Sequence, residues 1–338
     1  MSELLFPIFG TLAIVFVLLP LCALAGTGAV YALDRWGGDV VARWSTPRYL
    51  LLVVPTLLPL VWSISAGLHQ AETGRSVIAC LLAHDLHEIC AEPLLFAALM
   101  TAFVVARAWR CMMSLPRLGR NARSGGAQAL RVARVVAEHA ELAPLRDRVV
   151  VVRDGLVGGS ATLGVFRQVV ALDADYVDRC DDEALAGALA HELSHLHARD
   201  PLRYLLLVVV VQLNPLVYPL RREAAGWIYR RELACDRAAV LRGATPFGVA
   251  RALLAAARPP HAALAHIRGG SAKKLRLRVE LLLAYAEARP GDSGRRSWAL
   301  ALATAIGLVA LAGPHVGGTD PLDALHTGVE RVAAQLMQ

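Results

Sequence analysis

Long uncharged runs alternate with arginine-rich segments along this chain. Leu4–Leu33 contains no charged residue, enough to span a bilayer with residues to spare, and Pro7 and Pro20 end or kink the run. Asp34–Arg48 carries Arg35, Arg43 and Arg48 and reads as a short cytoplasmic loop, which puts the N-terminus outside. Tyr49–Leu68 is a second uncharged run. Pro93–Ala106 is shorter and makes a third span with its flanks. Arg107, Arg110, Arg117, Arg120 and Arg123 then return the chain to the cytoplasm. A last apolar run starts near Trp298 and ends near Gly313-Pro314. The pattern predicts three membrane helices within residues 1–110, a cytoplasmic domain over 111–296, a fourth span over 297–318 and a short outside tail over 319–338.

The cytoplasmic part has both helical and strand periods. Ala127–Leu142 reads as a helix. Arg148–Arg153, Val157–Val165 and Gln168–Leu172 read as strands. Leu185, Leu189, Leu193 and Leu196 recur at helical spacing behind a cap at Asp181 or Asp182. Ala239–Ala288 reads as mostly helical, broken at Arg258-Pro259-Pro260, with a basic amphipathic stretch at Lys273–Leu283. The fold class is therefore an α-helical integral membrane protein with an embedded α+β domain.

Composition agrees. Of 338 residues 56% are hydrophobic, which argues against two soluble domains. The formal charge of +7 clusters beside apolar runs, as the positive-inside rule requires. No nucleic-acid-binding motif accompanies it, so no direct nucleic-acid binding is expected. The six cysteines show no zinc-finger spacing. Cys80 and Cys90 share the outside loop His69–Glu92 and can pair or stay reduced. The same loop holds His84, Asp85, His87 and Glu88, a polar surface cluster or a second metal or pH-sensitive site.

The chemistry sits at His191-Glu192-Leu193-Ser194-His195. On a helix, positions i and i+4 share a face, so His191 and His195 can hold one metal ion. Glu192 lies beside that face, placed to take a proton from the attacking water. About 40 residues on, Glu232 can complete the three-ligand set of a catalytic zinc site. Asp236, one turn later, can accept the second N–H of a ligand histidine. The competing arrangement pairs Glu232 and Asp236 with Arg230, Arg231 and Arg237 on a solvated face.

Three segments carry a resemblance: His191–Asp200 (HELSHLHARD), Asn214-Pro215-Leu216 and Arg231–Asp236 (RELACD). They resemble the integral-membrane antirepressor metallopeptidases of the BlaR/MecR type and, more distantly, the HtpX-type membrane peptidases. The likeness is densest from Ser160 to Asp236. It implies a gluzincin peptidase between membrane helices, with Zn2+ as cofactor, membrane lipid around it, and a protein substrate, in particular a cytoplasmic repressor. It also implies that Ser160, Ala161, Thr162, Leu163 and Gly164 form the substrate edge strand beside the cleft, where an open edge can pair with an extended peptide. The family's penicillin-binding sensor is not matched, so β-lactam sensing is not implied. A quality-control membrane protease, or a sensor without catalysis, is the alternative. Self-association stays open.

Two expectations concern topology and the oxyanion. Leu202–Leu220 is apolar, yet Glu232 must return to the side of His191 and His195. Asn214-Pro215 divides the run into halves too short to span at 1.5 Å per residue. A hairpin near 202–220 that dips into the membrane is therefore predicted. No oxyanion group is assigned; Tyr229 and Arg230 lie near in sequence. Lys273–Leu283, exposed, basic and tethered near the cleft, is a candidate for self-cleavage.

Overall fold

In the computed structural model the described residues are 14–36, 45–57, 126–152, 157–214, 216–257 and 272–287, with isolated positions 99, 102, 103 and 106. They are mostly helical. The third and fourth predicted spans, the outside tail, Cys80, Cys90 and the His84–Glu88 cluster lie outside the described residues or nearly so. The chain forms two compact units.

The first unit holds residues 1–106, 207–227 and 294–338. A π-helical turn, Ile14–Leu18, leads into α1, Leu19–Trp36. Together they give one helix, Val15–Arg35, that is long and apolar enough to cross a membrane. Residues 45–57 form α2. Arg48 is 1% exposed and makes an ion pair with Asp34. That arginine is thus a buried partner of α1. Trp227 Nε1 donates to the Ser45 carbonyl at 2.6 Å and stacks at 5.0 Å on Tyr49.

The second unit covers 107–206 and 228–293. It opens with α3, Ala127–Glu138, and a 3-10 turn, Ala140–Leu145. The strands are β1 Val149–Val152, β2 Ser160–Leu163 and β3 Val169–Asp173. The order is β1-β3-β2, with β1 parallel and β2 antiparallel to β3. β2 is therefore an edge strand of the described sheet. It stops at Leu163, two residues short of the expected end, because Gly164 turns out of the strand at φ +95. A Cβ there would meet the Arg167 carbonyl at 2.2 Å, so only glycine makes this turn. Asp173 fixes the loop that enters β2, accepting from Gly159 N at 2.9 Å and Val157 N at 3.3 Å.

The helices of this unit are α4 Ala174–Arg179, α5 Asp182–His197, α6 Asp200–Leu213, α7 Tyr218–Leu241, α8 Pro246–Ala257 and α9 Ala272–Glu287; α6 and α7 are shared with the first unit. α5 is the centre. Asp181 caps it by accepting from Ala184 N at 2.7 Å. Arg131 of α3 fastens its start through Asp182 and the carbonyls of Val177 and Cys180, at 2.7, 2.8 and 2.7 Å. Every residue from Ala184 to Leu196 is buried, the signature of a helix packed on all sides. Gly187 permits this, since a Cβ there would meet Val249 N of α8 at 2.8 Å. Leu185, Leu189 and Leu193 join Val132 and Val135 of α3, Leu172 of β3, Tyr176 of α4, Val249 of α8 and Leu282 of α9 in one core.

At the end of α5 the chain reverses through Arg199, held at φ +53, a conformation costing about 1–2 kcal/mol for a residue with a Cβ. α6 runs out from Asp200, breaks after Leu213, and α7 returns to bring Arg231 Nε within 2.6 Å of Asp200 Oδ2. The Lys273–Leu283 stretch lies within a helix. Leu282 is 1% exposed in the core and Arg278 bonds two carboxylates. The other face of this helix, with Lys273, Arg276, Leu277, Glu280, Leu281 and Leu283, is exposed.

Candidate metal centre

Helical spacing on α5 puts His191 and His195 side by side, with their Nε2 atoms 3.1 Å apart. Both are buried, at 8% and 6% exposure. α7 supplies Glu232, whose carboxylate oxygens lie 3.6 Å from His191 Nε2 and 3.5 Å from His195 Nε2. The ligand atoms of the three all fall within 4.8 Å of one another.

The outer nitrogens are engaged. His191 Nδ1 is 2.9 Å from Asp236 Oδ1, and His195 Nδ1 is 2.7 Å from Asp200 Oδ2. Each carboxylate draws the imidazole proton to Nδ1 and leaves the lone pair on Nε2. With both rings neutral in that tautomer, two lone pairs and a carboxylate would converge. That donor set fits a cation. Donors about 2.0–2.2 Å from a tetrahedral zinc stand roughly 3.3–3.6 Å apart, close to the observed separations.

The surroundings of these groups are densely charged. Four carboxylates, Glu192, Asp200, Glu232 and Asp236, face three guanidiniums, of which Arg203 places Nη1 3.6 Å from Asp200 Oδ1. Arg231 Nε meets Asp200 at 2.6 Å. Arg278 holds Asp236 with Nε and Nη2, both at 2.7 Å, and reaches Glu232 Oε2 with Nη1 at 3.1 Å.

The ionisable groups shift one another. Burial raises the Glu232 pKa, but His191, His195 and Arg278 outweigh it and hold the carboxyl well below its usual range. Burial also works against the Asp236 carboxylate, yet His191 and Arg278 bring its pKa down. For His191, burial favours the neutral ring, and Asp236 and Glu232 more than reverse this. For His195, burial is likewise overcome by Cys235, Asp200 and Glu232. Both imidazoles titrate above ordinary histidine.

Glu192 stands beside this set at 4% exposure. Its Oε1 accepts from Ser160 Oγ and its Oε2 from Thr162 Oγ1, each at 2.8 Å. Tyr204 of α6 points its hydroxyl at Glu232 Oε1 from 3.4 Å.

The structure thus gathers His191, Glu192, His195, Glu232, Asp236, Ser160 and Thr162 in one place. Asp236 is 2% exposed, so the solvated-face arrangement does not occur. Ala161 and Leu163 face away, against the small cluster of Val152, Val157 and Ala171, and Gly164 belongs to the turn. Four further residues join the site: Asp200, Tyr204, Arg231 and Arg278. Asp200 was visible in HELSHLHARD and Arg231 in RELACD; nothing in the sequence marked Tyr204 or Arg278. Tyr229, one of the two residues considered for the oxyanion, lies under Lys274, whose Nζ is 5.5 Å from the ring centroid.

A family model described as BlaR1 peptidase M56 matches residues 83–282, more than half of the chain, and the match contains every residue of this centre. No curated protein matches the chain.

Proposed function

Because the chain belongs to the BlaR1 peptidase M56 family, we propose that it is a membrane zinc metalloendopeptidase that cuts a cytoplasmic regulator in response to a signal. The convergence of the His191, His195 and Glu232 ligand atoms carries the metal reading.

His191, His195 and Glu232 would hold zinc, with Asp236 and Asp200 orienting the two rings. Zinc in such a site supplies Lewis acidity, polarising a carbonyl and making water more acidic. Glu192, one residue from a ligand and buried, takes the proton of the attacking water and delivers it to the leaving amine. The free side of β2 offers backbone groups to an extended substrate, so Ser160–Leu163 would hold the peptide by strand addition. In this reading the peptidase domain faces the cytoplasm and α6 and α7 dip toward the membrane. Four spans leave both termini outside, and reporter fusions at Gly126 and Gly318 should then report opposite sides; same-side signals would refute that topology.

The role is tested by comparing cleaved proteins in cells carrying the wild type or Glu192→Gln. One or a few soluble regulators cut only by the wild type support the proposal. Broad clearance of misfolded membrane proteins indicates quality control instead. No cleavage, together with no metal in the purified protein, indicates a sensor without catalysis.

A further inference from the structure

We propose that Ser160 and Thr162 are positioning residues for Glu192: the edge strand that receives the substrate also fixes the carboxylate that takes the proton. The catalytic half of this inference rests on the peptidase reading above; the contact itself does not.

Successive side chains on a strand point to opposite faces, so Ser160 and Thr162 turn toward α5 together. Each carboxylate oxygen of Glu192 receives its own hydroxyl, Oε1 from Ser160 and Oε2 from Thr162, both at 2.8 Å. Thr162 Oγ1 also lies 3.1 Å from the Glu192 carbonyl. A carboxylate held at one oxygen still rotates about its last bond. One held at both, by groups two residues apart on a strand, keeps its plane.

The strand is itself fixed. Ala161 and Leu163 pack on the other face against Val152, Val157 and Ala171. β3 pairs with all four residues of β2, from Ser160↔Leu172 to Leu163↔Val169. The sheet therefore sets the hydroxyls and the hydroxyls set the base. Since the opposite side of β2 is the proposed peptide edge, any shift of the strand on docking is passed directly to Glu192. Peptide pairing and base alignment become one event, and these hydroxyls should govern turnover more than substrate affinity.

The test uses the full-length, zinc-loaded chain in detergent with β-casein as the probe. The variants are Ser160→Ala, Thr162→Val, both together, and Thr162→Ser. The double variant should keep its zinc and its KM within about twofold while kcat falls about 10- to 100-fold, the scale of a misplaced catalytic group. Thr162→Ser, which keeps the hydroxyl, should restore the rate. A raised KM at unchanged kcat, or a Thr162→Ser protein as slow as Thr162→Val, would overturn the proposal. A thermal cycle on the metal-free protein reads the contact without catalysis. The hydroxyl deletions should lower Tm in the wild type and have little effect in Glu192→Ala; additive shifts would overturn the contact. If the wild type cuts neither casein nor any cellular protein in the comparison with Glu192→Gln while the cycle is non-additive, the peptidase reading fails and the contact stands.

Discussion

The two histidines of the centre are held by matching relays that differ in what they tie together. His191 leans on Asp236, which is gripped at both oxygens by Arg278. His195 leans on Asp200, which takes one guanidinium hydrogen bond, from Nε of Arg231, with Arg203 Nη1 farther off at 3.6 Å. The second relay is local: Asp200 follows His195 by five residues, and Arg231 adjoins Glu232. The first is long-range, joining α5, α7 and α9, and its arginine also touches Glu232. Equal chemistry at the two rings thus comes with unequal reach. One relay closes the end of α5, and the other makes the proposed ligand set depend on where α9 sits.

The largest effect should come from a change that leaves both relays alone. Glu192→Gln should keep its zinc and lose about 100- to 10,000-fold in casein turnover. Substantial residual turnover would remove Glu192 from its role and make the relays irrelevant to rate.

Next come the relay carboxylates. Asp236→Asn and Asp200→Asn should each weaken zinc binding about 10- to 100-fold by competition with a chelator. Asp236→Asn should lie at the upper end, because it leaves Arg278 beside Glu232 with less to hold it. A larger loss at Asp200 would reverse the ranking of the relays.

The arginines sharpen the difference further. Arg231→Lys keeps a single-point contact and should change zinc affinity little. Arg278→Lys cannot reproduce the paired bonds to Asp236 and should cost up to about tenfold. Equal effects in the same chelator titration would show that the double grip carries no weight.

The smallest effect is in pH. In the metal-free protein both imidazoles titrate above the ordinary value of 6.5, near 10. A raised folded-state pKa contributes stability that is complete below about 6.5 and is lost as pH climbs toward about 10. Zinc needs both rings neutral, so protons compete with it. The rise in Tm caused by zinc should therefore grow with pH between about 6 and 8. A rise that shrinks over that range would contradict histidine ligation.

What the sequence disclosed follows from the same contrast. His191, His195, Glu232 and Asp236 were legible because helical spacing alone puts each pair on one face, and the strands and α5 followed from apolar periodicity and the Asp181 cap. Ser160 and Thr162 were named for the peptide edge, but their grip on Glu192 depends on how β2 meets α5, which no spacing encodes. Asp200 was in plain sight and unread, since its approach to His195 needs the left-handed turn at Arg199. Arg278 was hidden in a basic stretch that looked solvent-facing. Its burial depends on Leu282 entering the core one turn away, a tertiary fact.

The zinc-to-protein ratio of the purified full-length chain, measured by elemental analysis across three proteins, tests the centre most directly. The wild type and Glu192→Gln should each hold one zinc per chain, and Glu232→Ala should hold far less. Full zinc occupancy in Glu232→Ala, or a wild type that takes up none, would contradict the assignment of His191, His195 and Glu232 as the ligand set.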